Sequence, residues 1–214
     1  MADEPLAAAR AFDHLNPRSL SAKREYVRGL EQRRDREALS LLLECLCDES
    51  GYLRDLAEHA LVRVGDKGAD VLLPHLTQGL WFTRVSVAKV LGELGYRDAL
   101  PGLVEMAGDA NRAVAEAALA SAARIAGAGH VVSMARALYR APTERMGEFL
   151  RVADQRQPGM AQQIQRALAD RELMTAEEHE VLHEDAGLSS TEGVEWEVLT
   201  GRASARAGSE PGTP

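Results

Sequence analysis

A helix-forming pattern is written twice in the middle of this chain, thirty residues apart. Residues 53–65 read LRDLAEHALVRVG, and residues 83–95 read TRVSVAKVLGELG. In both stretches apolar or small side chains recur with helical spacing on one face, and a glycine follows, which is typical of a helix end. A helix that recurs at a fixed period indicates stacked helical repeats, in which each unit covers the apolar face of its neighbour.

Less regular copies of the pattern extend it in both directions. Val27 and Leu30 precede Ala57 and Ala60 by thirty residues, so the repeat begins with a degraded unit. A later copy in residues 114–125 follows at an offset of thirty-one, and one inserted loop residue explains that slip. Between the main helices the sequence predicts shorter helices of a looser pattern, at residues 38–47, 69–76, 99–106 and 131–139.

The composition favours helices and gives no sign of a sheet. Aromatic residues make up 4% of the chain, β-branched runs are scarce, and Ala, Leu, Arg and Glu dominate. The sequence therefore predicts an all-α fold.

The C-terminal part follows another pattern. Helices are predicted at residues 144–154 and 160–169, and Thr175 is predicted to cap a last one. Apolar periodicity stops at Gly187, and residues 172–214 hold ten acids against two bases. We expect a capping helix in residues 1–17, repeats in 18–140, a helical cap in 141–186 and a disordered acidic tail in 187–214.

No stretch of the sequence predicts insertion into a membrane or secretion. No window approaches the ~18 consecutive apolar residues of a membrane span, and the first residues, MADEP, are acidic. We therefore expect a soluble cytoplasmic protein. The two cysteines, Cys45 and Cys47, are expected to be buried free thiols, because residues two apart on a helix point to different faces.

The repeats carry a recognisable polar signature. Leu53, Arg54, Ala57, the pair Ala60-Leu61 and the pair Val64-Gly65, with Asp48 six residues ahead of the arginine, resemble the short HEAT-like repeats of the phycobilin lyase type. The resemblance covers roughly residues 20 to 140. It implies a right-handed α-solenoid of four to five helical hairpins with helical caps.

The resemblance also implies a ladder of arginines and acids along the stack. In that family the arginine belongs to the second helix of a hairpin and an acid lies in the preceding turn. Asp48 and Arg54 fit this pattern, the unit of Arg84 has Gln78 in place of the acid, and the unit of Asp109 has Ala115 in place of the arginine.

The second helices line the concave surface of such folds, so the resemblance implies a binding face there. Trp81 and Phe82 stand out, because adjacent aromatics at a helix start cannot both face inward, and exposed aromatic anchors are typical of binding hot spots. The alternative is that Trp81 packs the helix start against its neighbour. The residues predicted to bind a partner are Tyr52, His59, Trp81, Phe82, Val85, Lys89, Arg112 and, in the tail, Trp196.

Trp196 lies in the run VEWEVL, in which apolar and acidic residues alternate. A tryptophan in an acidic disordered segment has no core to serve, so this run is interpreted as a short recognition element. Its ligand is expected to be another protein, or the basic first unit of the same or a neighbouring chain. An inert tail or a weak helix packed on the cap is the alternative.

Two motifs suggest other chemistry and are given less weight. His179 and His183 belong to an HExxH match, the spacing with which two histidines share a zinc ion on a helix. In zinc enzymes with the HExxH motif, the positions of Glu177 and Glu184 hold uncharged residues. We therefore interpret the match as chance and predict no metal site.

The second motif is a basic cluster near the N-terminus. It does not extend through the repeats as a nucleic-acid-binding face would, so we predict no nucleic-acid partner; its members are Arg24, Arg28, Arg33, Arg34 and Arg36.

The function that follows is a non-enzymatic, cytoplasmic adaptor, with no cofactor and no catalytic residue, that binds a protein partner. The alternative is an enzyme or lyase accessory subunit of the phycobilin-lyase-like HEAT class, which would carry a metal or a pigment. The sequence leaves the partner and the oligomeric state open.

Overall fold

The structure is a computed structural model that describes residues 19–175, and every regular element in that range is a helix. Five longer helices alternate along the chain with shorter ones. The longer helices are α1 (Leu20–Arg33), α3 (Gly51–Val64), α5 (Trp81–Leu94), α7 (Arg112–Gly127) and α9 (Thr143–Arg156). The shorter helices are α2 (Arg36–Leu46), α4 (Ala69–Leu72), α6 (Leu100–Met106), α8 (Val131–Tyr139), α10 (Met160–Ala169) and α11 (Arg171–Thr175).

Short 3-10 turns adjoin two of the shorter helices, and at the first of these they correct the prediction. Residues 69–76, predicted as one helix, form α4 followed by a 3-10 turn, Leu73–Leu76. Pro74 lies in that turn and has no amide hydrogen to continue an α-helix. A 3-10 turn, Arg97–Ala99, likewise precedes α6, which carries Pro101 near its start.

Helices α3 and α5 end at the glycines that the sequence predicts, and the residues at several helix ends meet specific backbone needs. Gly65 and Gly95 follow α3 and α5 with φ of 81° and 65°, values that favour glycine. Before α2 and α7, the side chains of Asp35 and Asn111 accept hydrogen bonds from the amides of Ala38 and Ala113, at 2.7 and 3.0 Å. These caps satisfy amides that a helix start leaves unpaired.

The longer helices pack on one another in chain order. Helix α3 lies between α1 and α5, and α7 lies between α5 and α9. The shorter helices pack in the same order: α6 contacts the 3-10 turn Leu73–Leu76 and α8, and α8 contacts α10. Each unit is therefore covered mainly by the units before and after it.

Small side chains bring the longer helices close together. Ala57, Val87 and Ala118, which occupy the same repeat position, are fully buried. Helices α5 and α7 lie close together at Gly92, where an added Cβ atom would lie 2.9 Å from Cα of Ser121. The space between these two helices thus depends on the missing side chain.

One polar residue replaces an apolar one in the repeat. Thr83 occupies the position of Leu53 and is 1% exposed. Its hydroxyl donates to the backbone carbonyl of Leu46 at the end of α2, at 3.3 Å. A buried hydroxyl with a partner is tolerated, and the bond also satisfies a carbonyl that the end of α2 leaves open.

The offset of thirty-one comes from a connection, as predicted. Residues 47–50 lead into α3 and residues 77–80 lead into α5, whereas the longer connection of residues 107–111 leads into α7. Two other predictions are wrong. Thr175 is not a cap, because it is helical and its hydroxyl donates to the carbonyl of Arg171 at 2.9 Å. Cys47, which ends α2, is only half-buried.

Several predictions fall outside the described residues. These are the capping helix of residues 1–17, most of the predicted last helix, and the tail of 187–214. Within residues 19–175 no helix is both long and apolar enough to cross a bilayer.

Replacing Gly92 with alanine is expected to destabilise the protein. The new methyl group would meet the backbone of Ser121, and overpacking of this kind costs ~1 to 3 kcal/mol. The measurement is the free energy of unfolding from urea titration followed by circular dichroism.

Gly147→Ala is the matched control. Gly147 is exposed on α9 and an added Cβ atom there meets nothing within 4 Å. An exposed helical glycine is ~0.5 to 1 kcal/mol less favourable than alanine, so this variant should be slightly more stable than the parent. Equal behaviour of the two variants would show that α5 and α7 are not held at this distance.

The two thiols are expected to react differently. Burial raises the pKa of Cys45 to about 12, so this thiol stays protonated and unreactive near neutral pH. Cys47 is partly accessible. Titration of the folded protein with a thiol-specific reagent should modify Cys47 rapidly and Cys45 only after denaturation. Rapid modification of both thiols in the folded protein would contradict the burial of Cys45.

Candidate partner-binding surface

The predicted binding residues occupy matching positions on neighbouring long helices. Tyr52 and Phe82 are the second residues of α3 and α5, and His59 and Lys89 follow each of them seven residues later. Arginines lie at matching positions about one turn into α1, α3 and α5. The first two contact the aromatic residue at the start of the following long helix. The contacts of these arginines explain what the aromatics do.

The first arginine ties the first unit to the second. Arg24 of α1 donates from Nε and Nη2 to the Tyr52 hydroxyl, at 3.2 and 2.9 Å. Tyr52 is half-buried. Its polar group therefore serves a contact inside the molecule.

The second arginine makes the equivalent contact with an aromatic ring. The guanidinium of Arg54 lies 4.7 Å from the centre of the Phe82 ring, within the range of a cation–π interaction. Its Nη1 also donates to the backbone carbonyl of Asp48 at 2.7 Å. The Asp48 carboxylate accepts instead from the amide of Ser50, at 2.7 Å.

The third arginine contacts an acid of the following unit. Arg84 pairs through Nη1 with Asp109, and both side chains are about four-fifths buried, at 19% and 18% exposed. Asp109 also accepts from the amide of Asn111, at 2.7 Å. The amide hydrogen bond and the guanidinium hold the pKa of Asp109 below its usual range.

These contacts correct the arrangement that the sequence suggested. The best-matching unit, with Asp48 and Arg54, joins the two residues through a backbone carbonyl rather than a carboxylate. The two units that looked incomplete complement each other, since Arg84 lacks an acid before it and Asp109 lacks an arginine after it. The sequence signal for this pair is an arginine in one unit and an acid in the next. Comparing each unit separately with the pattern does not reveal it.

Trp81 is the most exposed aromatic residue of this surface. It is 49% exposed at the first position of α5, and its ring packs in a T-shaped arrangement with that of Phe82, with centroids 5.7 Å apart. Leu80, immediately before it, is 55% exposed and was not predicted. Together, Leu80 and Trp81 form an apolar patch at the start of α5, and the ring of Phe82 packs against Trp81.

A polar cluster lies further along the same helices. Glu58 of α3, which is 14% exposed, accepts a hydrogen bond from the hydroxyl of Ser86 and pairs with Lys89, whose Nζ lies 3.7 Å away. Lys89 keeps about half of its surface exposed. This residue can therefore still pair with an acid of a partner.

The remaining predicted residues are placed less distinctively. His59 is exposed, and its Nδ1 lies 2.6 Å from the carbonyl of Asp55 in its own helix. Val85 is half-buried against the core. Arg112 is exposed and pairs with Glu116 one turn away, at 2.6 Å. Trp196 lies outside the described residues.

The basic N-terminal cluster is partly neutralised by neighbours. Arg33 pairs with Asp35 and Glu37, at 2.9 and 2.5 Å. Arg34 donates to the carbonyl of Arg63, at 3.4 Å, while Arg63 itself pairs with Glu31 at 2.6 Å. Much of this charge therefore joins α1 to α2 and α3.

No group of three or more histidine, cysteine or acidic side chains in residues 19–175 is arranged to hold a metal ion. His179 and His183 lie outside that range. No family model matches the chain, and no curated protein is similar to it in sequence.

Removing the charge of Asp109 is expected to make the free energy of unfolding depend less on pH in the acid range. The pKa of Asp109 is lower in the folded protein, so its stabilising contribution is present above its unfolded pKa, about 3.9. That contribution disappears as the pH falls through the lower, folded value. Asp109→Asn should therefore lose less stability on acidification, measured by urea unfolding at a series of pH values.

Asp55→Asn is the control for this experiment. Asp55 is an exposed acid on α3, and its substitution shows how far the loss of an exposed carboxylate by itself changes the acid dependence. If Asp109→Asn showed the same acid dependence as the parent, the pairing with Arg84 would carry no stability.

Proposed function

We propose that this chain is a non-enzymatic adaptor built as a right-handed, HEAT-like α-solenoid of four to five hairpins. On this proposal the longer helices form the concave face and bind a protein partner. The proposal draws on the thirty-residue recurrence of the helices and on the packing of each long helix against the next. The expected setting is the cytoplasm.

The observation that carries the proposal is the exposure of Trp81 beside Leu80. Exposing two large apolar side chains at one helix start costs the isolated protein solubility, and buried tryptophans are strong contributors to binding. Phe82 already packs on Arg54, so Trp81 rests on a fixed support. A side chain that is already positioned loses little entropy when a partner covers it.

The surroundings of Trp81 indicate what the partner would offer. Lys89 and Arg112 are exposed cations on α5 and α7, and each has one acid beside it. A partner with an apolar pocket for the indole ring and an acidic group near Lys89 would complement this surface. Trp196 in the acidic tail is proposed as a second contact.

The test is a pull-down from a lysate of the source organism with immobilised full-length protein, comparing the parent with Trp81→Ser and Lys89→Glu. We expect one protein to be retained in near-stoichiometric amount by the parent. Trp81→Ser should weaken its binding by roughly thirtyfold or more, since a tryptophan hot spot contributes about 2 kcal/mol or more. Binding constants would then be measured with the purified partner.

Leu20→Ser is the matched control, because Leu20 is a large apolar residue, 61% exposed, at the first position of α1 as Trp81 is of α5. It should leave binding unchanged, and thermal unfolding should show that all variants are folded. Equal loss with Leu20→Ser, or full binding by Trp81→Ser, would contradict the proposed surface. A pigment or metal that co-purifies with the chain would instead favour the lyase-type accessory role.

A further inference from the structure

A pocket of about 390 Å³ lies between the starts of α6 and α9 and the length of α8. Leu100 and Val104 of α6 and Ala137 of α8 supply apolar walls. Met174 of α11 closes one side. The volume falls within the range of ligand sites in proteins, and the walls would hold an apolar side chain.

The rim of this pocket is predominantly basic. Four arginines line it, against two acids, Asp98 and Glu105. Asp98 pairs with Arg97, at 3.1 Å, and Arg145 donates to the carbonyl of Val104, at 3.5 Å. The other two arginines of the rim are Arg136 and Arg140, and Arg140 is exposed. The pocket therefore suits a ligand that combines an apolar group with negative charge.

The path of the chain brings such a ligand close. Met174 is part of the wall and Thr175 is the last described residue, so the following segment starts beside the pocket. Residues 176–199 contain eight acidic residues and no Lys or Arg. The pocket and this segment therefore have opposite charge.

Within that segment, residues 192–199 match the pocket best. Val194, Trp196 and Val198 alternate with Glu195 and Glu197. In an extended conformation alternate side chains point to opposite sides, which gives this stretch one apolar side and one acidic side. An indole ring against the walls and carboxylates beside the rim arginines would use both features of the site.

We propose that the pocket between α6, α8 and α9 binds the acidic aromatic segment 192–199 of the same chain, with Trp196 against its apolar wall. The intervening residues 176–191 span up to roughly 55 Å when extended, enough to return to the pocket. A tethered segment meets its site at an effective concentration in the mM range, so a weak site is filled. Trp196 is then covered until another ligand displaces the segment.

The experiment uses the full-length chain with Trp81→Phe, which leaves Trp196 as its single tryptophan. Quenching of Trp196 fluorescence by acrylamide should be several-fold weaker than in a free peptide of residues 192–199. Arg140→Glu should raise it to the level of the peptide. Exchanging the charges, by adding Glu195→Arg and Glu197→Arg to Arg140→Glu, should restore the protection.

Arg151→Glu is the matched control, since Arg151 is an exposed arginine of α9 that does not line the pocket, and it should leave quenching unchanged. Arg28→Glu tests the basic N-terminal unit as a competing site. Release of Trp196 by Arg28→Glu, protection that persists in Arg140→Glu, or quenching equal to the peptide in the parent would each overturn the proposal. Protection lost on dilution would assign the segment to a second copy of the chain instead.

This inference does not depend on the adaptor function. Quenching reports on the pocket and the tail alone, whereas the pull-down reports on Trp81. Failure of either experiment leaves the other result interpretable.

Discussion

The apolar face of each central long helix, which one short helix cannot cover alone, is the constraint on which this structure depends. Helices α3, α5 and α7 bury apolar and small residues against other long helices as well as against short ones. The next long helix supplies the missing cover, and small side chains at Ala57, Val87 and Ala118 let the helices approach. The repeat spacing, the glycine ends and the connection lengths all serve this packing.

The arginines at the starts of the long helices show that one position can be satisfied in different ways. Arg24 finds a tyrosine hydroxyl, Arg54 finds an aromatic ring and a carbonyl, and Arg84 finds a carboxylate. All three lie where a guanidinium reaches from one unit to the next. Because an arginine offers five donors and a flat face, it accepts each of these partners without a change of backbone.

Much of the helical framework could be predicted from the sequence, because helical periodicity and end signals are local. The existence of α3, α5 and α7 followed from apolar spacing, and the ends of α3 and α5 followed from Gly65 and Gly95. The partner of Arg84 could not be predicted from its own unit, since it lies in the turn before α7. The exposure of Leu80 and the pocket at α8 depend on how distant segments meet, which no local pattern records.

The residues of the candidate surface likewise include some whose exposure the sequence could predict and some whose contacts it could not. The sequence identified Trp81 as unusual, and the structure leaves it exposed. Tyr52 and Phe82, which looked equivalent to it, are engaged by arginines of the preceding helices, because their positions face back along the stack. Trp81 and Phe82 are adjacent in sequence, yet their positions on the helix leave Trp81 exposed and place Phe82 against Arg54.

The forward direction of the arginine contacts sets where the chain can be divided. A fragment that stopped after α5 would contain a complete hairpin by sequence, yet Arg84 would lose Asp109 and remain partly buried without its counter-charge. The α5 face at Gly92 would lose the helix that fits it. A boundary between two copies of the sequence pattern is therefore not a boundary in the packing, because contacts of α5 would be left unmade there.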